Sequence, residues 1–404
     1  MGGVPLQQVA DAPFVNVFDA EVQTNREAVF AELRQQTSVV QTPIGVSVIR
    51  RDAAHKVLTD PTVVHGLSVL QSIMGSAGAE LSELLGSTVL ALDGEDHARI
   101  RRLVSRSFTP KAADRHRPRM RELTEELVDG FAATGRCELV ADFADHYPVQ
   151  VICEVLGVPP ENHQDFARWG DVLTYILSLE LGSHVAEVER AVAELNAYLT
   201  GLIEDRMAAP QDDLVTSLVQ ASEGGDRLSE VELRALIGGL LFAGYDTTRN
   251  QLGFALYLFT QHPEQWALLA ERSDLAPQAV NEVMRVASVV AGTIRIATQP
   301  LEVDGWSIPT GTFIYLSLAS ANQDEEVWEV PARFDITREG TSHLSFGAGP
   351  HYCLGANLAR AEMEEALVIL AERLPDVALE GEPVWRTDTG ITGTAFLPLR
   401  FTPS

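Results

Sequence analysis

Cysteine is scarce in this chain, and the scarcity excludes several kinds of site. Only three cysteines occur among 404 residues, Cys137, Cys153 and Cys353, and none belongs to a C-x-x-C pair. An odd count without such a pair argues against a disulfide framework and against a zinc site. We therefore expect Cys137 and Cys153 to be small hydrophobic residues in packed segments.

Long apolar runs and targeting signals are missing as well. No run of eighteen apolar residues occurs, so the sequence predicts no membrane span. Residues 1–20 include Pro5, Asp11 and Asp19 and lack the basic-then-apolar order of a secretory signal. We therefore expect a soluble, cytoplasmic protein.

Positive charge is scarce except in one stretch. The formal net charge of −27 argues against binding to nucleic acid. Between His97 and Arg121, however, nine Lys or Arg residues stand against one acid, Asp114. This basic run is a candidate docking patch for an acidic partner, and the alternative is a solvated helix face.

Helical spacing covers most of the chain, which predicts a mainly α protein with minor β structure. Ser229 and Glu232 have the spacing of a capping box at the start of a long helix, and Gly157 is a helix stop. A strand is predicted over 44–50, short strands are predicted over 293–298, 301–303 and 312–318, and 319–352 is irregular. The helices are predicted over 95–107, 116–133, 145–156, 161–180, 185–208, 229–260, 277–287 and 355–373.

The densest motif is the run from Phe346 to Gly355, in which three glycines accompany Cys353. Glycine lets a backbone turn tightly and lie close to a flat partner. Helical spacing begins directly afterwards, so Cys353 precedes a helix N-terminus, which favours a thiolate. A thiolate beside a glycine-lined wall suits an axial ligand of haem iron. The alternative is an ordinary buried cysteine after a glycine-rich turn.

This run resembles the haem-binding loop of the cytochrome P450 family, Phe-Gly-x-Gly-x-His-x-Cys-x-Gly, and each fixed position is matched. The resemblance implies that Cys353 binds the iron of haem b and that Phe346, Gly347, His351 and Gly355 hold the haem. It also implies the cytochrome P450 fold, a triangular helical prism with haem between a long oxygen-side helix and the cysteine-loop helix. Residues 1–404 would then form one domain with a helix-rich lobe and a small β-rich lobe.

The predicted helix over 229–260 contains a segment that is poor for a helix interior, Ala243-Gly244-Tyr245-Asp246-Thr247-Thr248. Such a broken local rule often marks a functional site, and the alternative is a helix kink with incidental polar residues. The segment resembles the P450 element Ala/Gly-Gly-x-Asp/Glu-Thr on the oxygen side of the haem. The resemblance implies that Ala243 lies against the haem and that Gly244 leaves room for oxygen. It also implies that Thr247 hydrogen-bonds the oxygen and that Asp246 relays protons.

Further motifs follow in the order that the family uses. His97 and Arg101 are four residues apart on one helix face. By resemblance they bind the haem propionates, together with Arg295 and His351. The resemblance also implies that Glu282 and Arg285, as Glu-x-x-Arg, lock the haem-loop scaffold with Arg333. That role is folding and haem retention.

The sequence lacks a G-x-G-x-x-G unit and a second cysteine cluster, so we expect no bound NAD, flavin or iron–sulfur centre. Electrons would come from a separate ferredoxin or flavodoxin with its reductase, docking near Arg99, Arg102 and Arg106. We expect a monomer that binds neither nucleic acid nor membrane.

The substrate pocket can be located only by analogy with the family, at 64–88, 170–182, 240–247, 289–294 and 390–394. These stretches are mostly small or aliphatic, which suits a bulky lipophilic scaffold such as a steroid, terpenoid or polyketide. The alternative is that they are mobile lids without a readable preference. The candidate substrate contacts are Leu240, Ala243, Val289, Val290 and Ile294.

The function predicted from these motifs is O2-dependent monooxygenation. A peroxygenase driven by hydrogen peroxide is an alternative, although Asp246 and Thr247 argue against it because peroxide brings its own protons. A non-catalytic haem sensor and an all-α binding module without haem are further alternatives.

Overall fold

Helices account for most of the regular structure in this computed structural model, which describes residues 6–66, 86–177, 181–223, 225–340, 342–386 and 391–404. Within these ranges the helices are Ala20–Thr24, Arg26–Arg34, Arg51–Thr59, Gly94–Val104, Pro110–Asp114, Arg117–Asp129, Tyr147–Leu156, His163–Leu173, Leu181–Ala208, Leu214–Gln220, Glu230–Gln261, Pro263–Glu271, Ala276–Val286, Leu318–Ala321 and Ala356–Arg373. None of these helices combines the length and apolarity that a membrane crossing requires.

One compact unit consists of residues 1–73, 284–334 and 339–353 and contains two sheets. Buried Val48, Ile314 and Leu316 pack with Val57 of the helix Arg51–Thr59. The larger sheet has the strand order Val39–Thr42, Gly45–Val48, Phe313–Leu316, Thr293–Ala297 and Val63–His65, in which Gly45–Val48 and Phe313–Leu316 are parallel. The smaller sheet has the order Gln7–Gln8, Trp306–Ile308 and Leu301–Val303.

The other compact unit consists of residues 74–283, 335–338 and 354–404 and is richer in helix. Its longest helix is Glu230–Gln261, called the long helix below. Strands Val384–Arg386 and Gly393–Phe396 pair as an antiparallel ladder, called the C-terminal hairpin below. The remaining strands form a sheet of Ala378–Leu379, Pro398–Arg400 and Arg136–Glu138 and a pair of Ser222–Glu223 and Asp226–Arg227.

Local chemistry sets the ends of several helices as the sequence predicts. Ser229 Oγ accepts a bond from the amide of Glu232 at 3.3 Å, and the Glu232 carboxylate accepts from the amide of Ser229 at 2.7 Å. This confirms the capping box at the start of the long helix. Gly157, with φ +76°, ends the helix Tyr147–Leu156. Its left-handed backbone is one that glycine adopts without strain.

Other elements depart from the sequence prediction. The helix predicted over 161–180 ends at Leu173 and continues as a 3-10 turn over 174–177. The hydroxyl of Thr174 donates to the carbonyl of Asp171 at 2.7 Å, which satisfies a carbonyl of the last turn. Residues 178–180 of that prediction lie outside the described residues. The strand Val39–Thr42, the helix Arg51–Thr59 and the C-terminal hairpin were not predicted.

Candidate functional site

Cys353 lies in a tightly turned loop, residues 346–355, called the cysteine loop below. The amide of Cys353 donates to the carbonyl of Phe346 at 2.9 Å. Gly347 and Gly349 have φ values of +70° and +67°, which favour glycine. A Cβ at Gly349 would also lie 2.4 Å from the carbonyl oxygen of Leu58. The backbone of the loop therefore favours glycine at Gly347 and requires it at Gly349, whereas Gly355 has an ordinary φ of −83° and open space around it.

The thiol of Cys353 differs from the other two thiols in its exposure. Cys353 is exposed, whereas Cys137 and Cys153 are buried. Burial raises the pKa of the Cys137 thiol to about 12 and that of the Cys153 thiol still further above its ordinary value. These two cysteines are thus packed, protonated thiols, as predicted. Cys353 stands just before Gly355, the N-cap of the helix Ala356–Arg373, so it is the cysteine available to a ligand.

One arginine and two histidines, Arg295, His65 and His351, lie in the same unit as Cys353. Arg295 is 3% exposed and is the cross-strand partner of His65. The ring of His65 lies 5.1 Å from the ring of His351, centroid to centroid. Arg295 also donates to the carbonyl of Ile294 at 2.9 Å. The structure therefore brings two predicted haem contacts together and adds His65, which the sequence analysis missed.

The chemistry of this donor set fits a haem. The exposed thiol would supply a ligand for the iron, and the neighbouring arginine and two histidines are side chains that suit anionic propionates. In the other unit, the helix Gly94–Val104 carries His97, which is 3% exposed, and Arg101, which is half-buried. Phe346 is 8% exposed, and its ring lies 5.6 Å from the ring of His343.

The predicted oxygen-side residues, Ala243, Gly244, Asp246 and Thr247, all lie near the middle of the long helix. Thr247 Oγ1 donates to the carbonyl of Ala243 at 2.5 Å. Since the single hydroxyl proton is used in this bond, the oxygen of Thr247 remains able to accept a hydrogen bond. Ala243 is exposed, and a Cβ on Gly244 would lie 3.4 Å from Cδ1 of Ile152.

Asp246 is 1% exposed, and two side chains bond its carboxylate. Arg386 of the C-terminal hairpin donates to Oδ1 of Asp246 at 3.0 Å, and Asn250 Nδ2 donates to the same oxygen at 2.9 Å. Burial raises the pKa of the Asp246 carboxyl above its ordinary value, while Arg386, Arg249 and Asn250 oppose that rise. The sequence analysis missed both bonding partners. Of the two, Asn250 could have been identified from the sequence, because it lies four residues after Asp246 on a predicted helix.

A second polar network involves Tyr245 and Arg249, which directly precede Asp246 and Asn250 on the long helix. The hydroxyl of Tyr245 donates to Asp171 at 2.8 Å, and Arg249 forms an ion pair with Asp145. Burial raises the pKa of the Asp145 carboxyl, and Arg249 opposes this rise. A Cβ on Gly170 would lie 2.7 Å from the Tyr245 ring, so Tyr245 packs tightly on the helix His163–Leu173.

The predicted scaffold residues are built into hydrogen-bond networks. Arg285, which is 3% exposed, donates to the carbonyls of Asn322 at 3.1 Å and Arg333 at 3.2 Å. The side chain of Asn322 accepts from the amide of Leu344 at 2.7 Å, directly before the cysteine loop. Arg333 contributes its backbone to this network, and Asn322 is a member that the sequence analysis missed.

Glu282 is equally buried, at 3% exposure. Its carboxylate accepts from the amide of Asp335 and from Nε of Arg338, each at 3.1 Å. Glu282 therefore fixes the segment from Asp335 to Arg338.

The basic run contains many arginines that already pair with acids. Arg99 pairs with Glu232 and with Asp226, and its side chain is 26% exposed. Arg102, Arg106 and Lys111 are exposed. The other pairs are Arg115 with Asp212, Arg117 with Asp114, Glu364 and Glu365, Arg119 with Glu122, Glu126 and Glu154, and Arg121 with Glu365.

The predicted substrate contacts lie on two elements and one connection. In one unit, Leu240 is half-buried and Ala243 is exposed on the long helix. In the other, Val289 is 4% exposed, while Val290 and Ile294 are half-buried. Within the predicted pocket stretches, residues 67–85, 178–180 and 390 lie outside the described residues.

Known proteins match this chain over nearly its whole length. A family model described as cytochrome P450 matches residues 160–375. Luteothin monooxygenase of Streptomyces thioluteus is 36% identical over 396 residues, which cover 97% of each chain. Mycinamicin IV hydroxylase/epoxidase of Micromonospora griseorubida is 37% identical over 92% of this chain and 94% of the relative. Vitamin D(3) 25-hydroxylase of Pseudonocardia autotrophica is 38% identical over 78% of each.

Solved structures agree with these matches. P450BioI, in complex with an acyl carrier protein ligated to hexadec-9Z-enoic acid, has a TM-score of 0.88 and 30% identity over 95% of this chain and 100% of its own. CYP109Q5 from Chondromyces apiculatus has a TM-score of 0.87 and 33% identity, and the match covers 97% of this chain and 99% of CYP109Q5. The mainly helical fold predicted from the sequence is confirmed. This chain belongs to the cytochrome P450 family and is a monooxygenase.

Proposed function

We propose that this P450 inserts one oxygen atom of O2 into a bulky lipophilic substrate, with electrons from a separate ferredoxin or flavodoxin and its reductase. The observation that carries this proposal is the exposed Cys353 on a tight loop whose turn depends on the left-handed glycines Gly347 and Gly349. Haem b, when bound, supplies the iron at which O2 is activated. The chain itself holds neither nicotinamide nor flavin, and residues 1–404 form a single P450 domain.

Five side chains hold the carboxylates of the haem in this proposal. Arg295, His65 and His351 are the three described above, and His97 and Arg101 contribute from the helix Gly94–Val104. Charged hydrogen bonds to a carboxylate are roughly twice as strong as neutral ones, so each contact adds to cofactor retention. Cys353, as a thiolate, binds the metal.

Proton handling belongs to the middle of the long helix. The Thr247 hydroxyl donates its proton to the carbonyl of Ala243, and its oxygen is left to accept a hydrogen bond. Asp246 holds a proton or releases it next to Thr247 in the chain, and its burial keeps bulk water away from the carboxyl. Gly244 keeps this part of the helix free of a side chain. Such a relay serves O2-dependent chemistry, whereas a peroxygenase does not need it.

The redox partner docks near Arg102 and Arg106 in this proposal. These two arginines help to line a cleft of about 510 Å³, which also includes Arg115, His116 and the acids Asp212 and Asp213. Arg99, included in the prediction from sequence, already pairs with Glu232 and contributes less. An acidic partner is favoured because the exposed members of the basic run offer complementary charge.

A lipophilic substrate is supported by the names of the relatives, which specify mycinamicin IV and vitamin D3. We propose that Leu240, Ala243, Val289, Val290 and Ile294 contact it, and that it is a steroid, terpenoid or polyketide-like molecule. Aliphatic side chains without charge favour such scaffolds over a carboxylate-bearing chain.

The first experiment tests the cofactor and its ligand. The purified protein should be coloured, and its reduced, CO-treated spectrum should be that of a thiolate-ligated haem. Cys353→Ser should abolish that spectrum, whereas Cys137→Ala, at a buried thiol, should retain it. A colourless wild-type protein, or an unchanged spectrum in Cys353→Ser, would overturn the proposal.

The second experiment tests the reaction. A lipophilic library is screened for binding through the haem spin state, and the products of the best binder are identified with a ferredoxin system and with hydrogen peroxide alone. Thr247→Ala should lower the product formed per NADPH several-fold with ferredoxin, and Thr247→Ser should retain most of it. Turnover with peroxide alone that matches the ferredoxin system would favour a peroxygenase. Absence of any product would favour a sensor.

A further inference from the structure

The C-terminal hairpin is seated directly on the second half of the long helix, within one compact unit. Trp385 packs against Phe254 and Tyr257, with ring centroids 5.5 and 4.8 Å apart. A Cβ on Gly253 would lie 2.1 Å from Oγ1 of Thr394. The helix and the hairpin therefore touch closely, without room for a larger side chain at that point.

This packing places Arg386 beside Asp246. Arg386 is the cross-strand partner of Gly393, and a Cβ on Gly393 would lie 1.9 Å from Oδ1 of Asn250. Asn250 in turn donates to the Asp246 carboxylate at 2.9 Å and to the Asp246 carbonyl at 2.7 Å. Arg386 then forms an ion pair with Asp246, in which a guanidinium nitrogen lies 3.0 Å from Oδ1 of Asp246.

The surroundings of Asp246 leave it dependent on this arginine. In the ion pair the Asp246 side chain is 2% exposed and the Arg386 side chain is 17% exposed. Solvation by water therefore stabilises the Asp246 carboxylate very little. The other charged group that acts on Asp246 is Arg249, whose guanidinium is already paired with Asp145. A buried carboxylate without a cation is strongly disfavoured relative to its protonated form.

We propose that Arg386 is a positioning residue for proton delivery, because it holds the Asp246 carboxylate ionised and in a fixed orientation on the long helix. The proposal rests on the relay role proposed for Asp246. Arg386 acts through Asp246 and Asn250, and it exchanges no proton itself because guanidinium stays protonated.

The direct test is an infrared pH titration of the ferric holoenzyme, which needs no substrate. The carboxyl band of Asp246 is assigned from the difference between each protein and the same protein carrying Asp246→Asn. Arg386→Gln should raise the midpoint of that band by about one pH unit or more, as expected when a cation adjacent to an acid is removed. Arg386→Lys should restore most of the shift. Arg400→Gln, which removes one exposed positive charge elsewhere in the C-terminal strands, should leave the midpoint unchanged.

The functional arm measures how reduced oxygen divides between hydrogen peroxide and water, with a plant-type ferredoxin and its reductase. Asp246→Asn and Arg386→Gln should both change this division, and the double variant should match Asp246→Asn alone, because the two residues act as one unit. Effects that add would overturn the role of Arg386. So would an unshifted titration, or an unchanged division in Arg386→Gln beside a clear effect of Asp246→Asn. If Asp246→Asn itself changes nothing, the relay fails, and the role of Arg386 fails with it.

Discussion

At the scale of single residues, Gly349 shows how closely the cysteine loop is fitted to its neighbours. Its φ of +67° and the Leu58 carbonyl 2.4 Å from a Cβ both exclude a side chain. Gly349→Ala should therefore destabilise the protein by more than the 1–2 kcal/mol or so that a left-handed residue costs alone. Thermal unfolding of the holoprotein measures this loss.

Gly311→Ala is the matched control for that substitution. Gly311 has φ +80° but nothing within 4 Å of a Cβ, so it carries the backbone penalty without the clash. Its melting temperature should fall by less than that of Gly349→Ala. Equal losses would mean that the close approach to Leu58 has no energetic weight.

Glu362 is a buried acid whose effect on stability depends on pH. It is 2% exposed, and burial raises the pKa of its carboxyl well above the ordinary 4.5. The folded chain therefore retains a proton that the unfolded chain loses above pH 4.5. The stability from this group is present at low pH and declines as the pH rises towards the folded pKa, by about 1.4 kcal/mol per unit.

Glu362→Gln, which resembles the protonated acid, should leave unfolding unchanged below pH 4.5 and should stabilise the protein progressively above that pH. Melting temperatures across a pH series measure the difference. Glu365→Gln on the same helix is the control, and it should destabilise because it breaks ion pairs with Arg117 and Arg121. A Glu362→Gln difference that does not vary with pH would contradict the expectation.

At the scale of elements, one buried ion pair joins three helices. Arg206, near the end of the helix Leu181–Ala208, pairs with Asp213 and donates to the carbonyl of Gly157 at 2.6 Å. Asp213 also caps the helix Leu214–Gln220 by accepting from Thr216 N at 2.7 Å. The two side chains are 6% and 5% exposed.

Arg206→Met should lower the free energy of unfolding by about 3–5 kcal/mol, since it leaves a buried carboxylate without its cation. Denaturant titration measures this change. Arg272→Met is the control, because its pair with Asp274 is exposed and such surface pairs contribute little to stability. Similar losses in the two variants would show that burial adds nothing to the Arg206 pair.

The predictability of elements follows from how local their causes are. The capping box at Ser229 and the stop at Gly157 were predictable because each depends on a few consecutive residues. The strand Leu301–Val303 was predicted with its observed bounds. The strand Val39–Thr42 and the C-terminal hairpin were not predicted. Each pairs with a neighbouring strand but is stabilised by packing against residues distant in the chain: Val39 lies in a core with Ile314, and Trp385 packs on Phe254 and Tyr257.

The candidate site shows the same limit. Cys353, Asp246 and Thr247 were identified from motifs that a handful of neighbouring residues define. Arg386 lies 140 residues from its partner Asp246, and nothing near it in the chain signals the pairing. His65 likewise gains significance only through the register that sets it opposite Arg295.

At the scale of the whole molecule, charge is strongly negative yet locally uneven. Against the net charge of −27, Arg106 stands exposed in the basic run. Arg106→Glu should slow reduction by an acidic ferredoxin several-fold at low ionic strength, with a smaller effect in high salt, because screening weakens the attraction. Stopped-flow reduction rates across a salt series measure this, with substrate binding as an unaffected reference.

Arg190→Glu makes the same change in net charge on a different helix and serves as the control. Its reduction rate should stay near that of the wild type. If both variants slow equally, the effect would belong to the overall charge, and the docking surface would not include Arg106.

The C-terminal hairpin has a consequence for redesign of this enzyme. Residues 391–394, at its second strand, fall in a stretch predicted to line the substrate pocket, while Arg386 on its first strand bonds Asp246. An engineer who exchanges this hairpin to widen the range of accepted molecules also exchanges the partner of the acid. Libraries that vary residues 391, 392 and 394 while keeping Trp385, Arg386 and Gly393 should therefore release less hydrogen peroxide than libraries that replace the whole hairpin.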